Sequence, residues 1–269
     1  MRRSLLLILL TLSACESHQQ QISIEFDVAF NGEAIGCDSE LPVALTDLRF
    51  FIHDLELTAV DGAVIPARLP RDSAWQNGVV AFIDLENGQG GCDDGTPEAN
   101  PRVVAEVAGN VDLETLRELQ FTLGVPFELN HDNPLEAAPP LDDASMHWHW
   151  RSGYKFLRAG VETEGDGFWF HLGSTACQGT TGNISGCDSP NRPRVELTAF
   201  NPQTDSVVID IGRLFNGVDL EDGVTSDCSS GPTEESCPAV LATLGLGTED
   251  PLILDGLFSA RPIQTTASR

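Results

Sequence analysis

Apolar and polar residues alternate along much of this chain, the spacing that sends successive side chains to opposite faces of a strand. Ile22, Ile24, Phe26, Val28 and Phe30 mark the first such run, and Asn31-Gly32 closes it with a turn. Over residues 48–60, LRFFIHDLELTAV, the residues Leu48, Phe50 and Ile52 share one face; the alternation resumes on Leu55, Leu57 and Ala59 after a one-residue shift at His53-Asp54. That phase change predicts a β-bulge, a feature that often re-aims side chains near sites. Residues 79–85 predict another strand, followed by a loop rich in Gly, Asp and Pro around Cys92.

Further on, Asp112 as a cap and Glu114 in a first turn predict a short helix over 113–119. Residues 120–129 return to extended structure, and Asn130-His131-Asp132-Asn133-Pro134 breaks it. Residues 148–161 and 167–172 read as two arms of a hairpin, and 194–200 and 206–214 as a second strand pair around 201–205. Past Asn216 lies an acidic, Cys-bracketed loop, then a helical turn over 239–244 and a weakly patterned tail. Many short alternating runs between turn signals predict an all-β chain: a β-sandwich-like single domain over 22–262, with long disulfide-stapled loops.

The N-terminus decides which residues belong to that domain. Arg2 and Arg3 precede an apolar run that ends in Leu12-Ser13-Ala14-Cys15, the pattern of a bacterial lipoprotein signal with Cys15 as the lipidated residue. The run is too short to remain as a membrane span. Residues 1–14 are therefore read as the signal and 15–21 as a tether. Glu16 after the lipidated Cys favours the outer membrane, so the expected location is its periplasmic side or the cell surface, held by the lipid anchor alone. Ordinary secretion with Cys15 kept as a thiol is the alternative.

Without Cys15, six of the seven Cys remain: Cys37, Cys92, Cys177, Cys187, Cys228 and Cys237. An even number in an exported chain favours disulfides. The pairing is open from sequence alone, but short loops suggest Cys177–Cys187 and Cys228–Cys237, leaving Cys37–Cys92 as a long staple. The formal charge of −26 grows more negative once Arg2 and Arg3 leave. So acidic a surface argues against nucleic acid and anionic lipid, and for cations or a basic protein partner.

No local motif supports catalysis: the chain lacks G-x-S-x-G, HExxH, a P-loop and GxGxxG. An enzyme is not expected. Metal ligands are better represented. His53, His131, His147, His149 and His171 fall at strands or strand ends, where distant residues can converge, and imidazole suits copper and zinc. His147 and His149 share one face of a strand while Trp148 and Trp150 share the other; the pattern favours solvent-facing imidazoles over a core pair of indoles. The acidic loops Cys92-Asp93-Asp94-Gly95 and 216–223 offer oxygen ligands of the kind Ca²⁺ takes, although neither matches an EF-hand and solvated turns describe them better.

Several blocks carry a resemblance when taken in order: Leu48-Arg49-Phe50-Phe51-Ile52-His53-Asp54; Trp75-Gln76-Asn77-Gly78; Asp84-Leu85-Glu86-Asn87-Gly88 with Gly91-Cys92; residues 121–126 followed by Leu129-Asn130-His131; residues 146–157; and His171-Leu172-Gly173-Ser174-Thr175-Ala176-Cys177. Together they resemble the MbnP family of periplasmic copper-binding proteins, the four-Cys member of the metallo-mystery pair. The resemblance implies a mononuclear copper held by His ligands, with a Trp oxidised to kynurenine by a di-haem partner related to cytochrome c peroxidase and MauG. Carried onto this chain, it points to His131 and His171 as ligands with His53 as a third candidate, and to Trp75 or Trp169 as the modified residue. Asp54 and Asp132 are the adjacent carboxylates that could fix the ligating tautomers. The four-Cys pattern falls on Cys37, Cys92, Cys177 and Cys187, leaving Cys228 and Cys237 as an elaboration. The expected role is copper acquisition or homeostasis; the rival is a structural or adhesive acidic surface lipoprotein stabilised by Ca²⁺. A carbohydrate-binding sandwich ranks last.

Overall fold

The computed structural model describes residues 19–39, 43–71, 74–89, 92, 95–163, 167–220, 227–231, 233–247 and 256–263. The signal, Cys15, Asp93, Asp94 and the acidic stretch 221–226 lie outside them. In chain order the strands are β1 (Gln19–Phe30), β2 (Glu33–Ala34), β3 (Ala44–Ala59), β4 (Val64–Pro66), β5 (Val80–Asp84), β6 (Arg102–Ala108) and β7 (Leu116–Leu123). A short helix α1 (Phe127–Asn130) leads to β8 (His147–His149), β9 (Gly153–Glu162), β10 (Gly167–Gly173), β11 (Thr175–Thr180), β12 (Asn183–Ser189), β13 (Arg194–Leu197) and β14 (Asp205–Asp210). Helices α2 (Ile211–Leu214) and α3 (Cys237–Thr243) precede the last strand, β15 (Phe258–Pro262).

The architecture is all-β, as expected. One sheet runs β15-β14-β1-β2 with β6 also on β1; the larger runs β10-β9-β3-β7-β13, with β4 and β5 on β3 and β8 on β9. The sixteen-residue β3 organises the larger sheet. Arg49 pairs with both Arg158 and Asp84, and Ile52 with both Leu123 and Ala81, so β9 and β7 follow one another along one edge while β5 lies on the other. Leu48, Phe50 and Ile52 are fully buried. An edge-to-face cluster of Phe26, Phe50, Phe121 and Phe258, with centroids 5.6 to 6.3 Å apart, joins the two sheets.

The predicted bulge is present: the β3–β7 register shifts between His53 and Glu56, and Asp54 has φ 53°. The β9–β10 hairpin is also present, as are all three suggested disulfides, Cys37–Cys92, Cys177–Cys187 and Cys228–Cys237.

Other expectations change. The helix over 113–119 shrinks to a 3-10 turn at Leu113–Thr115, still capped by Asp112, and Leu116 opens β7 instead. There Leu119, Phe121 and Leu123 are buried facing the core while β3 and β13 satisfy the backbone on both edges, which overrides the local helix signal. Residues 194–200 and 206–214 are not partners: β13 joins β7 in the larger sheet, whereas β14 lies parallel to β1 in the other. The chain thus crosses between sheets at 201–205, and 211–214 become α2, capped by Asp210. The strand expected over 148–161 is split by a turn between β8 and β9. β1 starts at Gln19, so residues 19–21 belong to the sheet rather than to a tether. The weakly patterned tail supplies β15.

Candidate metal centre

Alternation along β3 sends Arg49, Phe51 and His53 to the face opposite the sandwich core. Cross-strand register then sets Asp84, Arg49, Arg158 and His171 in one row across β5, β3, β9 and β10. Trp169, two residues before His171, shares this face, with the Arg158 guanidinium 5.8 Å over its ring. The row is dense in buried charge. Arg49 is 1% exposed and binds Asp47 through two nitrogens at 2.8 Å each, while Arg158 reaches the same carboxylate at 2.8 Å.

Segment 127–152 packs beside this face and is held by Asn130. Asn130 is fully buried; its Oδ1 accepts from the Tyr154 N–H at 3.0 Å and its Nδ2 donates to the Ser152 carbonyl at 3.3 Å. Gly153 is required at this point, since it has φ 79° and a Cβ there would sit 2.1 Å from the Asn130 carbonyl oxygen. This clamp presents His131 directly after α1, its Nε2 3.8 Å from Cys187 Sγ. His147 on β8 lies edge-on to Tyr154, centroids 4.9 Å apart. The Tyr154 hydroxyl donates to the Leu141 carbonyl. His149, by contrast, is exposed and hydrogen-bonds locally, its Nδ1 accepting from the Arg151 N–H.

Four imidazoles share an unusual property. His53 (both nitrogens), His131 (Nδ1), His147 (Nε2) and His171 (Nε2) carry buried ring nitrogens without a hydrogen-bond partner. Asp54 Oδ2 does approach His53 Nδ1 to 3.0 Å, but off the direction an N–H bond needs. Burial, above all, lowers the pKa of each. For His171, Lys155, Arg158 and Arg49 add to the effect and bring it to about 3. Arg192 presses the same way on His53 and His131, and the neighbouring His149, His131 and Lys155 on His147. At neutral pH all four are uncharged, the form that ligates metal.

Among the described residues, no three of these imidazoles bring their nitrogens within 4.8 Å of one another. His131 does group at that distance with Cys177 and Cys187, and Glu234 with Cys228 and Cys237, but those sulfurs are spent in disulfides and offer no thiolate. His53 is buried and His131 and His171 are half-buried, all three are neutral and each has a buried ring nitrogen, and they form no closed three-ligand cage among the described residues.

The indoles are redistributed. Trp148 and Trp150 are half-buried, not the core pair that alternation suggested, because β8 is a three-residue strip at the sheet margin. Trp148 lies on Gly173, with its ring centroid 6.4 Å from that of His171. Trp169 stands at the same 6.4 Å from His171, so two indoles flank one imidazole. Trp75 stacks on Phe82 over the β5 part of the sheet, 5.9 Å between centroids. Sequence reading missed Trp148; its signal was Gly173, a small residue just beyond His171.

The segment with Cys228, read as an elaboration, pins the strand that carries His171. The Cys228 N–H donates to the Trp169 carbonyl, the His171 N–H donates to the Cys228 carbonyl, and Ser230 Oγ donates to the His171 carbonyl.

Fold and site together define a disulfide-stapled β-sandwich whose larger sheet turns away from the core a face carrying His53 and His171, imidazoles with buried ring nitrogens that lack a hydrogen-bond partner. The sequence profile of the MbnP family matches residues 19–230, and the chain belongs to that family. Among solved structures, MbnP from Methylosinus trichosporium shares the fold with a TM-score of 0.77 at 24% identity, covering 92% of this chain and 100% of that one. No curated protein matches by sequence.

Proposed function

We propose that this chain is a non-catalytic copper-binding protein of the bacterial envelope, anchored through a lipid on Cys15. The observation that carries the reading is the set of buried, neutral ring nitrogens without partners at His53, His131, His147 and His171. A buried nitrogen that bonds nothing is costly unless a ligand completes it. The donors fit copper: imidazole suits it, and disulfides remove thiolate competition at all six described Cys. His131 and His171 are the leading ligands, with His53 third. Bound there, copper would supply a redox-active, Lewis-acidic centre. This chain's own part is to keep the imidazoles desolvated and deprotonated, to hold His131 through the Asn130 clamp and to fix His171 through Cys228 and Ser230.

Trp169 beside His171, or Trp75, is the residue we assign for oxidation to kynurenine, with a di-haem peroxidase-like protein supplying the oxidising equivalents. Copper acquisition or homeostasis is the corresponding role.

The test is copper retention. Chain purified from copper-supplemented cells should hold stoichiometric copper by elemental analysis, and His131→Ala plus His171→Ala should release it while circular dichroism stays unchanged. No copper in the parent chain, or equal copper in the folded double variant, overturns the reading. Peptide mass spectrometry after co-expression with the di-haem protein tests the modification separately.

A further inference from the structure

A cavity of about 300 Å³ lies between Ala74 and Trp75, β5 with the loop after it, and the end of the segment that follows α1, and no histidine among the described residues lines it. That volume is at the lower end of the roughly 300–1,000 Å³ typical of small-molecule sites. Its floor is aromatic: Trp75 stacks on Phe82, which stacks in turn on Phe51 at 4.6 Å. Pro97 and Pro140 contribute apolar wall. Three carboxylates, Glu98, Asp142 and Asp143, join Ala74 and Thr96 in the lining, and no basic side chain among the described residues belongs to it. Asp143 is partly engaged, accepting from the Ser145 N–H at 2.8 Å and lying 3.9 Å from Arg49 Nη1. Glu98 and Asp142 are exposed, and no Lys, Arg or His among the described residues forms an ion pair with either.

A second, larger hollow lacks this character. It is lined by Glu114, Arg117 and Asp205, so its charges are already mixed, and Arg117 donates to the Glu114 and Leu116 carbonyls.

An indole face attracts cations through its quadrupole, and carboxylates at the rim add Coulomb attraction. Proline walls and a Phe beneath the indole favour an apolar body. A hard divalent ion would use the carboxylates but gain nothing from the aromatic floor. We infer that this cavity is a binding site for a small organic cation, an ammonium or guanidinium carried on a flat apolar group. The inference does not rest on copper binding, but it shares Trp75 with the proposed oxidation and applies to the chain in which Trp75 is unmodified.

The test uses the full chain expressed without its di-haem partner, so that Trp75 remains an indole. Phenethylammonium is titrated with detection by the indole N–H resonances and by calorimetry, with 2-phenylethanol and CaCl₂ as separate arms. Saturable binding is expected that shifts one indole resonance, weakens with added salt and exceeds that of 2-phenylethanol by about tenfold. The double variant Glu98→Gln/Asp142→Asn, whose exposed side chains leave the fold intact, should bind about fivefold more weakly; Trp75→Leu should lose the shifted resonance and the binding. Equal affinity for the neutral alcohol, unchanged affinity in the carboxylate double variant, or a site filled by Ca²⁺ and not by phenethylammonium would each overturn the inference.

Discussion

The six-membered ring of Trp148 rests on Gly173 and leaves no room there for a side chain: a Cβ on Gly173 would lie 2.5 Å from Trp148 Cζ3 and 2.9 Å from the Tyr154 carbonyl oxygen. Close packing of this kind cannot relax by moving one flexible group, because the second obstacle is backbone. Gly173→Ala is expected to destabilise the chain by about 1–3 kcal/mol in urea denaturation, to shift tryptophan emission and to reduce copper retention. Gly186 on β12 is the control, since nothing lies within 4 Å of its added Cβ; Gly186→Ala should stay within about 0.5 kcal/mol of the parent. Similar losses in both variants would contradict the packing account.

Stability should depend on pH through two opposing groups. Burial lowers His171 from 6.5 to about 3, and lowers His53, His131 and His147 as well. The unfolded chain then binds protons that the folded chain refuses. Their contribution is intact above about pH 6.5 and is lost as pH falls below it, at up to about 1.4 kcal/mol per pH unit for each fully shifted histidine. Asp84 works the other way, since burial raises it from 3.8 to about 7 and the folded state keeps a proton that the unfolded state releases. Its contribution is present at low pH and lost as pH rises toward 7. Tm should therefore fall on acidification from pH 7 to 5, more steeply in Asp84→Asn and less steeply in His171→Gln. Parallel slopes in all three proteins would contradict the assignment.

The buried pair of Arg49 and Asp47 should be costly to break from one side. Both side chains are almost completely excluded from solvent, so Arg49→Met leaves Asp47 with Arg158 as its remaining partner at 2.8 Å. The expected loss is about 3–5 kcal/mol by chemical denaturation, since the buried Glu86, 3.8 Å from Arg49 Nε, is left without its cation. Arg49→Lys should also lose stability, because one ammonium cannot replace two parallel guanidinium bonds. A loss under about 1 kcal/mol in Arg49→Met would mean that the cluster is not dry in solution.

Disulfide removal should rank by the length of chain each bond closes. Cys37–Cys92 spans 55 residues, whereas Cys177–Cys187 and Cys228–Cys237 span 10 and 9. Loop-closure entropy predicts losses of about 4 kcal/mol for the first and about 2.5 kcal/mol for each of the others when both Cys become Ala. Removing Cys228–Cys237 should in addition raise hydrogen exchange at His171, whose N–H donates to the Cys228 carbonyl at 2.8 Å. Protection at His171 that survives this removal would show that Ser230, together with Asp227, whose Oδ1 accepts from the Trp169 N–H at 3.0 Å, pins the strand unaided.

The sequence by itself determined what depends on neighbours along the chain. Alternation at Ile22, Ile24 and Phe26, the phase change at His53-Asp54 and the short spacings around Cys177–Cys187 are local signals, and each carries through to the fold. Tertiary structure decided what depends on which strand edges meet. The parallel pairing of β1 with β14 and the conversion of 116–119 from helix to strand follow from partners far away in the chain, which local propensity cannot name. The candidate site divides in the same way. His53, His131 and His171 stand out by residue type, but that each carries a buried ring nitrogen without a hydrogen-bond partner follows from tertiary packing, with Arg49 and Arg158 sharing a row with His171 and the Asn130 clamp placing His131. Burial and electric field at a side chain are set by atoms from many strands at once, so Trp148 could read as core in the sequence and stand at the sheet margin beside His171 in the fold.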